Sequence, residues 1–445
     1  MDQCGYVTLV NSTDCDWKKT KQHADHLISW DLPQTISAHS SVNIYVEWCD
    51  TFLTGESPDA ANATYVLEGS NGQSFQLHVQ AGESTKLHVA LKHLNAYSHS
   101  TVARLELNGN DQKGKRAFIL AGSNSHYAAS SSIGPSWMHK NLGLIGDKKL
   151  NQICITGAHD AGMSSLHSHT AAAFDCNTLT QTHPLHTQLN FGARYFDIRP
   201  VIAGGRYRTG HYSFIENFFK NTWQGGNGQS IKSIISDVNS FTAVHKELVI
   251  LNLSHALNTD YDNANYKEFT QNEWDGLFNE LRHLNHLYVN HTQNDDLTKI
   301  TLRTFISETP AVVVIVDEKN VKLRKLASKG FYHSKNFNVY NHYSKTDVFK
   351  EMARDQIRKM ERHSKDYFLL SWTLTQAWYQ AAGCKGGADS IKQLANKANK
   401  HLDSYLYPAI TKQAFPNIIF VDNILDDKSA RIAMKINRAV IKHKT

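Results

Sequence analysis

The sequence predicts an α/β protein, a TIM-type (β/α)8 barrel preceded by a small all-β, sandwich-like domain. Short alternating segments separated by Gly, Asn and Asp clusters run to about residue 122, which is typical of exposed sheets. Continuous apolar segments separated by amphipathic stretches follow, which is typical of buried parallel strands joined by helices. The strands and helices of this second part run from about 147 to 430, roughly 280 residues, a length that suits one barrel. We therefore expect a β-domain at 1–122, a linker at 123–146 and a barrel at 147–445.

Each predicted strand of the first part has one apolar face and one polar face, as a half-buried strand requires. These strands are 6–10, 42–48, 63–67, 74–79, 85–89, 103–107 and 116–120. The segment that follows is rich in small and polar residues, which favours a linker.

The predicted strands of the second part are apolar on both faces, and amphipathic segments such as 229–244 and 347–362 lie between them. These strands are 152–155, 194–198, 248–253, 311–316, 337–340, 368–372 and 418–421. A doubly wound open sheet is the alternative, but no Gly-rich phosphate loop follows the first strand.

Composition narrows the function only slightly. The chain has 47 Lys and Arg against 41 Asp and Glu, a formal net charge of +6, without the concentrated basic stripe of a nucleic-acid-binding protein. It also has 25 histidines, which invite interpretation as acid/base, metal or pH-sensing groups. Composition does not say which few of them matter.

Targeting and cysteine patterns favour a protein without a membrane span. No signal peptide is evident at the start, and the longest apolar run is far shorter than a span of about 20 residues. We expect a cytoplasmic location or export by an unconventional route, with peripheral membrane contact. The six cysteines include no CxxC pair, so reduced thiols are expected, with a single disulfide in the first 50 residues left open.

The candidate chemistry lies where predicted strands end, which is where a parallel barrel places its active site. His159 and Asp160 follow the first strand, between glycines. Asp197 and Arg199 close the second strand and share one face, because side chains alternate along a strand. His211 follows twelve residues later. Two imidazoles can act as base and acid around one transferring group, and arginine offers forked donors to a phosphate.

Four segments together resemble the X-domain of phosphatidylinositol-specific phospholipase C, in its bacterial and fungal phosphodiesterase branch. They read ICITGAHDAGMSSL, QLNFGARYFDIRP, GHYSF and KELVILNLSHA. The resemblance covers roughly residues 147–430 and is strongest over 150–256. It departs from the family at Ala158 and Ala161, where relatives usually carry small hydroxyl residues.

The resemblance implies a phosphodiesterase that cleaves a phospholipid or glycolipid head group. His159 would be the general base toward the inositol 2-hydroxyl, with Asp422 bonded to it. His211 would be the general acid, with Asp160 as its orienting partner.

The resemblance also implies that no metal or other cofactor takes part. Arg199 would stabilise the phosphoryl oxygens with support from Asp197, and its guanidinium would stand where calcium-dependent relatives bind the ion. For head-group contacts we expect three residues at later strand ends, His255, Asp317 and Trp372. The partner would be a lipid head group at a membrane surface, and nucleic acid is not expected.

Two alternatives remain open. The first is a lipid- or glycan-binding protein that recognises its ligand through residues 1–122 and keeps the barrel as a scaffold. The second is a metal-dependent, phospholipase D-like lyase, although no Glu-x-Asp follows the second strand.

Overall fold

The chain was analysed as a computed structural model that describes residues 3–13, 15–25, 27–38, 40–48, 60–80, 86–94, 104–107, 116–123, 126–131, 135–216, 221–292 and 295–441. Two compact units divide it, Met1–Ser132 and Ile133–Thr445. No helix in the described ranges combines the length and the hydropathy that crossing a membrane requires.

The N-terminal unit is all-β in its described part. Its strands are β1 (Gln3–Thr13), β2 (Trp17–Asp25), β3 (Leu27–Trp30), β4 (Thr35–Ile36), β5 (Ser40–Trp48), β6 (Ala60–Leu67), β7 (Ser74–Gln80), β8 (Lys86–Lys92), β9 (Arg104–Glu106), β10 (Arg116–Ser123) and β11 (His126–Ser131). They form two sheets, ordered β11-β10-β1-β5-β3 and β4-β2-β6-β7-β8-β9. One buried cluster takes side chains from both sheets, including Leu9 from the first and Trp17 and Phe75 from the second.

The segment predicted as a linker at 123–146 is folded over much of its length, so that prediction is wrong in its boundaries. Strand β11 pairs with β10, and two short helices follow, α1 (Trp137–Lys140) and α2 (Leu142–Ile145). Trp137 is fully buried, and its indole N–H donates to the carbonyl of Gly192 at 3.0 Å. Small polar residues misled the prediction because they also suit an edge strand.

The second unit is built on an eight-stranded parallel sheet. Its strands are β12 (Ile155–Ala158), β13 (Tyr195–Ile198), β17 (Leu248–Leu253), β20 (Ala311–Val316), β21 (Phe331–His333), β22 (Val339–Tyr340), β23 (Tyr367–Trp372) and β24 (Ile418–Val421). The order is β21-β20-β17-β13-β12-β24-β23-β22. The strands β12 and β24, which come first and last along the chain, are therefore neighbours, as in a curled, barrel-like sheet. The three-residue strand β21 was not predicted.

The helical layer is less complete than a (β/α)8 pattern predicts. The remaining helices are α3 (Asp175–Thr178), α4 (Leu185–Asn190), α5 (Ile231–Thr242), α6 (Gln271–Leu281), α7 (Leu302–Ile306), α8 (Phe349–Arg362), α9 (Trp378–Gly383), α10 (Ile391–Lys400), α11 (Leu402–Leu406) and α12 (Lys428–Val440). Between β20 and β22, where every residue is described, the connections contain only short 3-10 turns. Strands β21 and β22, which the second of these connections joins, are the two edges of the sheet.

A second, smaller sheet follows β13 at the carboxyl end of the parallel strands. Its strands are β14 (Pro200–Ala203), β15 (Arg206–Ile215), β16 (Thr222–Ser230), β18 (Leu257–Asn258) and β19 (Lys267–Glu268), in the order β16-β15-β14-β18-β19. This sheet carries His211 on β15.

Side chains of the parallel strands alternate between two buried clusters. Tyr195 and Phe420 belong to the cluster on the concave side, which also takes residues of α1, α2 and α7, whereas Phe196 and Val421 belong to the cluster that takes residues of α5, α6, α8 and α10. At the amino ends of β13 and β17, buried Arg194 donates from Nε to Glu247 at 2.8 Å. Backbone amides of α1 also donate to this carboxylate, so the pair is a fully bonded structural ion pair.

The cysteine prediction needs a correction as well. Cys176 and Cys384 form a disulfide, with their Cα atoms 5.9 Å apart and 208 residues between them in sequence. The expectation of reduced thiols is therefore wrong for these two, and the bond lies in the second unit.

Candidate active site

Strand order brings the predicted site residues together. The strands β13, β12 and β24 are neighbours, and their carboxyl ends carry Asp197, His159 and Asp422 respectively. Counting by twos along each strand places these three on the face of Tyr195 and Phe420, the concave side of the sheet. Six predicted residues form one connected cluster there, His159, Asp160, Asp197, Arg199, His211 and Asp422.

His159 is held from both ring nitrogens. Its Nδ1 lies 2.7 Å from Oδ1 of Asp422, and its Nε2 lies 2.7 Å from Nη2 of Arg199. Burial lowers the pKa of His159, but the charge and hydrogen bond of Asp422, together with the charge of Asp197, outweigh burial and leave the pKa above its ordinary value. The side chain is 12% exposed, so the ring is not sealed from solvent.

Arg199 lies between two carboxylates. Its Nε donates to Asp197 at 3.0 Å, and Nη1 is 3.7 Å from Oδ2 of Asp160. Burial would raise the pKa of Asp197, but the guanidinium lowers it to about 2. Burial would likewise lower the pKa of Arg199, and the two carboxylates raise it instead. Asp197 and Arg199 are thus a permanent ion pair.

Asp160 is the strained member of the cluster. It is fully buried, has a positive φ of 39°, and neither carboxylate oxygen has a hydrogen-bond partner among the described residues. Burial raises its pKa to about 7, because the charged form is poorly solvated there. A buried carboxyl group in this condition points to function rather than to stability.

His211 is oriented by a backbone carbonyl. Its Nδ1 donates to the carbonyl of Thr178 at 2.9 Å, whereas Oδ2 of Asp160 is 3.8 Å away, too far for a hydrogen bond. The predicted orienting role of Asp160 is therefore corrected, and Thr178 fills it. Burial and the charge of Arg199 lower the pKa of His211 to about 3, so the ring is neutral in this state.

A hydrogen-bonded chain links the site to its rim. The Oγ of Ser254 donates to Oδ1 of Asp197 at 2.8 Å and accepts from Nδ1 of His255 at 2.9 Å. His255 is exposed and has a positive φ of 53°. Partial burial of the imidazole ring, with the charge of Arg199 as the second cause, lowers the pKa of His255. His255 therefore lies where a head group could contact it.

The other two predicted head-group residues differ from each other. Asp317 is exposed at the end of β20, and its backbone amide donates to the carbonyl of Leu253 at 2.9 Å. Trp372 lies elsewhere, since it is fully buried among the helices and its indole N–H donates to the carbonyl of Ala398 at 2.9 Å. The prediction for Trp372 is contradicted by this placement, which two-residue alternation from Phe368 and Leu370 could have indicated.

Three further residues belong to the site and were missed. Tyr343 places its ring 5.5 Å from that of His159, Ser254 bonds to Asp197, and Thr178 uses only its carbonyl. Ser254 could have been found, because it lies two residues beyond Asn252 on the inward face. The carbonyl of Thr178 and the loop residue Tyr343 could not have been found in this way, because neither follows a strand alternation. Over the described residues, no group of three or more His, Cys, Asp or Glu side chains is arranged to hold a metal ion.

Comparisons with known proteins bear on this cluster. No protein-family model matches the chain. It is similar to the structure of phosphatidylinositol-specific phospholipase C from Listeria monocytogenes, with a TM-score of 0.44 and 14% identity over 65% of this chain and 95% of that one. For the Staphylococcus aureus enzyme the TM-score is 0.48, with 15% identity over 69% of this chain and 98% of that one.

One curated relative, a PI-PLC X-box domain-containing protein of Dictyostelium discoideum, is 26% identical over 140 residues. The match covers 28% of this chain and only 17% of the length of that protein. The resemblance indicated by the strand-end motifs is thereby confirmed: this chain is similar to the X-box proteins of the phosphatidylinositol-specific phospholipase C family.

Proposed function

We propose that the protein is a phospholipase C-like phosphodiesterase that cleaves a phospholipid or glycolipid head group with two histidines and without a metal ion. The observation that carries the proposal is the position of His159 between Asp422 and Arg199, at 2.7 Å from each. A carboxylate behind an imidazole fixes its tautomer, and a guanidinium before it marks where an anion binds. The similarity to X-box proteins supports the same chemistry.

The first step is attack by a substrate hydroxyl on phosphorus. The Nδ1–H of His159 faces Asp422, so Nε2 carries the lone pair that accepts the hydroxyl proton. The hydroxyl oxygen forms a bond to phosphorus, and the bond from phosphorus to the lipid oxygen breaks. With an inositol head group, the product is a cyclic phosphodiester.

The leaving oxygen takes its proton from His211. In the ligand-free state His211 is neutral, while Asp160, 3.8 Å away, has a pKa of about 7. At neutral pH the two groups together hold about half a titratable proton, which resides on Asp160. A bound phosphodiester adds a negative charge and engages Arg199, which favours that proton on the imidazole.

Arg199 supplies the charge that a metal ion supplies elsewhere. The guanidinium lies within 3.7 Å of both Asp160 and Asp197, so a divalent ion between these carboxylates would meet a fixed positive charge. On substrate binding, one of its N–H groups turns from His159 to the phosphoryl oxygens. Chelation with EDTA should therefore leave the rate unchanged, and full loss of activity on chelation would contradict the metal-free mechanism.

The same proposal covers the domain organisation. The second unit, Ile133–Thr445, would act as a TIM-type barrel, and the first unit, Met1–Ser132, would form an accessory β-sandwich. His255 and Asp317 at the strand ends would contact the head group.

The proposal is tested with the full chain and vesicles of phosphatidylinositol, phosphatidylcholine or a glycosylated phosphatidylinositol. Phosphorus NMR follows the products, and we expect a cyclic phosphodiester from at least one inositol lipid. His159→Gln and His211→Gln should each reduce kcat by about 10²- to 10⁴-fold, the usual contribution of a general base or acid. Unchanged rates in both variants, or no turnover of any of these lipids, would overturn the proposal.

A further inference from the structure

The carbonyl that orients His211 belongs to a segment with little structure of its own. Thr178 is the last residue of α3, a helix of only four residues without a side-chain hydrogen bond at its N-cap. A helix this short does not persist on its own in water, because it makes too few hydrogen bonds to offset its nucleation. Something outside α3 must therefore hold the Thr178 carbonyl in place.

The disulfide is the covalent part of that support. Cys176, two residues before Thr178, is bonded to Cys384 in the segment that follows β23. The same two segments also meet without a covalent bond. The side-chain amide of Asn177 donates to the carbonyl of Ala381 at 3.1 Å, and the side-chain amide of Gln376 donates to the carbonyl of Cys176 at 3.5 Å. The ammonium of Lys385 lies 3.5 Å from the centre of the Phe174 ring.

An unbroken series of bonds and contacts connects the disulfide to the imidazole of His211. Cys384 holds Cys176, the short helix carries Thr178, and the Thr178 carbonyl accepts from Nδ1 of His211 at 2.9 Å. The side chain of Thr178 bonds to Asn177 at 3.0 Å, inside the same helix. The residue itself is 1% exposed, so water does not readily replace its carbonyl.

We propose that Thr178, fixed by the Cys176–Cys384 disulfide, is the positioning residue of His211, so that catalysis by His211 depends on an oxidised disulfide. The inference rests on the proposed function, in which His211 is the acid. It assigns the disulfide a role beyond holding the fold: it keeps the proton on Nδ1 and leaves Nε2 to face the leaving group.

Reduction should uncouple the two segments. A dithiol supplies two electrons and two protons, the S–S bond breaks to give two thiols, and the dithiol is oxidised to its cyclic disulfide. Without the Thr178 carbonyl, the proton of the neutral His211 ring can lie on either Nδ1 or Nε2. The protonated ring also loses the carbonyl that accepts its Nδ1–H hydrogen bond. The rate of leaving-group protonation should fall, while substrate binding by Arg199 is retained.

The first experiment compares the oxidised chain, the reduced chain and the double variant Cys176→Ser/Cys384→Ser on the lipid that the wild type cleaves. We expect kcat to fall about 10-fold or more in the last two, with KM changed less than about threefold. The alkaline limb of the pH–rate profile should shift to lower pH, because the Thr178 carbonyl raises the pKa of His211. Reductant should have no further effect on the double variant.

General loosening of the fold is separated from positioning in the same experiment. Circular dichroism at the assay temperature must show the reduced protein folded, and a merely structural bond would lower the rate without moving the pH limb. An unshifted limb, or a rate unaffected by reduction, would overturn the inference.

The second experiment does not depend on activity. Two-bond ¹H–¹⁵N NMR of histidine-labelled protein reports the tautomer of each ring, and the His211 signals are assigned by their loss in His211→Gln. We expect a single Nδ1–H tautomer in the oxidised chain and a tautomer mixture after reduction. The same tautomer in both states would overturn the inference even if the protein proves to be a phosphodiesterase, and a change of tautomer would support it even if no lipid is cleaved.

Discussion

Nη2 of Arg199 donates a hydrogen bond to Nε2 of His159 across 2.7 Å. Because a guanidinium has no acceptor, Nε2 must carry a lone pair, and His159 is neutral with its proton on the side of Asp422. Under the proposed mechanism, the ligand-free site would hold its base in the neutral form with the Arg199 guanidinium over it. A phosphate that draws Arg199 away would uncover the base when the substrate binds.

Replacing Arg199 with lysine should separate charge from geometry. A lysine keeps the positive charge but cannot bridge Asp197, His159 and a phosphate with one planar group. We expect Arg199→Lys to lower kcat by about 10²- to 10³-fold, the range found when a preorganised donor to developing charge is removed. Initial rates on lipid vesicles measure this loss.

Arg303 offers a matched control for that change. It pairs with Asp147 at the surface and is 44% exposed, so Arg303→Lys should retain at least half of the wild-type rate. Equal rates for the two lysine variants would show that Arg199 does not touch the reacting group.

Removing the charge of Asp422 should weaken the base. Asn keeps the size of the side chain but no longer raises the pKa of His159, which then falls under the influence of burial and Arg199. We expect Asp422→Asn to reduce kcat by about 10-fold or more. Because the base must be neutral to act, the acidic limb of the pH–rate profile should move to lower pH. If the acidic limb of the profile does not move, it reports the titration of a group other than His159.

Asp160 should make stability fall as pH rises. Its pKa is about 7 in the folded protein, against an ordinary value of 3.8, so the folded state binds more protons than the unfolded state between these two pH values. The free energy of unfolding therefore decreases across this window as pH increases. Asp160→Asn stays neutral and should be spared this loss.

Thermal unfolding of both proteins at pH 4.5 and pH 8 measures the difference. Relative to wild type, the Tm of Asp160→Asn should be several degrees higher at pH 8 than at pH 4.5, since 1 kcal/mol corresponds to roughly 2–4 °C in large domains. Titrating groups that lie away from Asp160 contribute equally in both proteins and cancel in the comparison. The same Tm difference at both pH values would show that Asp160 is charged throughout.

Trp372 should affect stability and not substrate binding. Trp372→Phe removes the hydrogen bond to the Ala398 carbonyl and part of a ring packed against Phe349. We expect a loss of about 1–3 kcal/mol in the free energy of unfolding, with KM unchanged. A several-fold higher KM with an unchanged Tm would return Trp372 to the substrate site.

Some of the fold could be predicted because the signals were local. The strands Leu248–Leu253 and Ala311–Val316 have the predicted bounds, since segments with five or six apolar residues out of six leave little choice. Strand β21 has only three residues, and such a segment carries too little periodicity to be recognised. Its neighbouring connections lack helices, which a repeated β/α pattern would not suggest.

The site divides in a similar way. His159 and Arg199 were predictable because strand alternation and family-like motifs both depend on which side chain stands at a position. The role of Thr178 was not, because a backbone carbonyl is common to every residue. The pairing of Cys176 with Cys384 spans 208 residues, and no spacing rule connects cysteines at that distance.

The pairing of β12 with β24 has a consequence for biosynthesis. His159 and Asp422 lie 263 residues apart in sequence, and β12 gains this neighbour only when β24 has been made. Contacts of such long separation form slowly, because a large loop must be closed before they stabilise anything. A nascent chain on the ribosome therefore exposes one side of its first parallel strand and has no carboxylate behind its base. Under the proposed function, the protein would remain inert until β24 has been synthesised and has paired with β12.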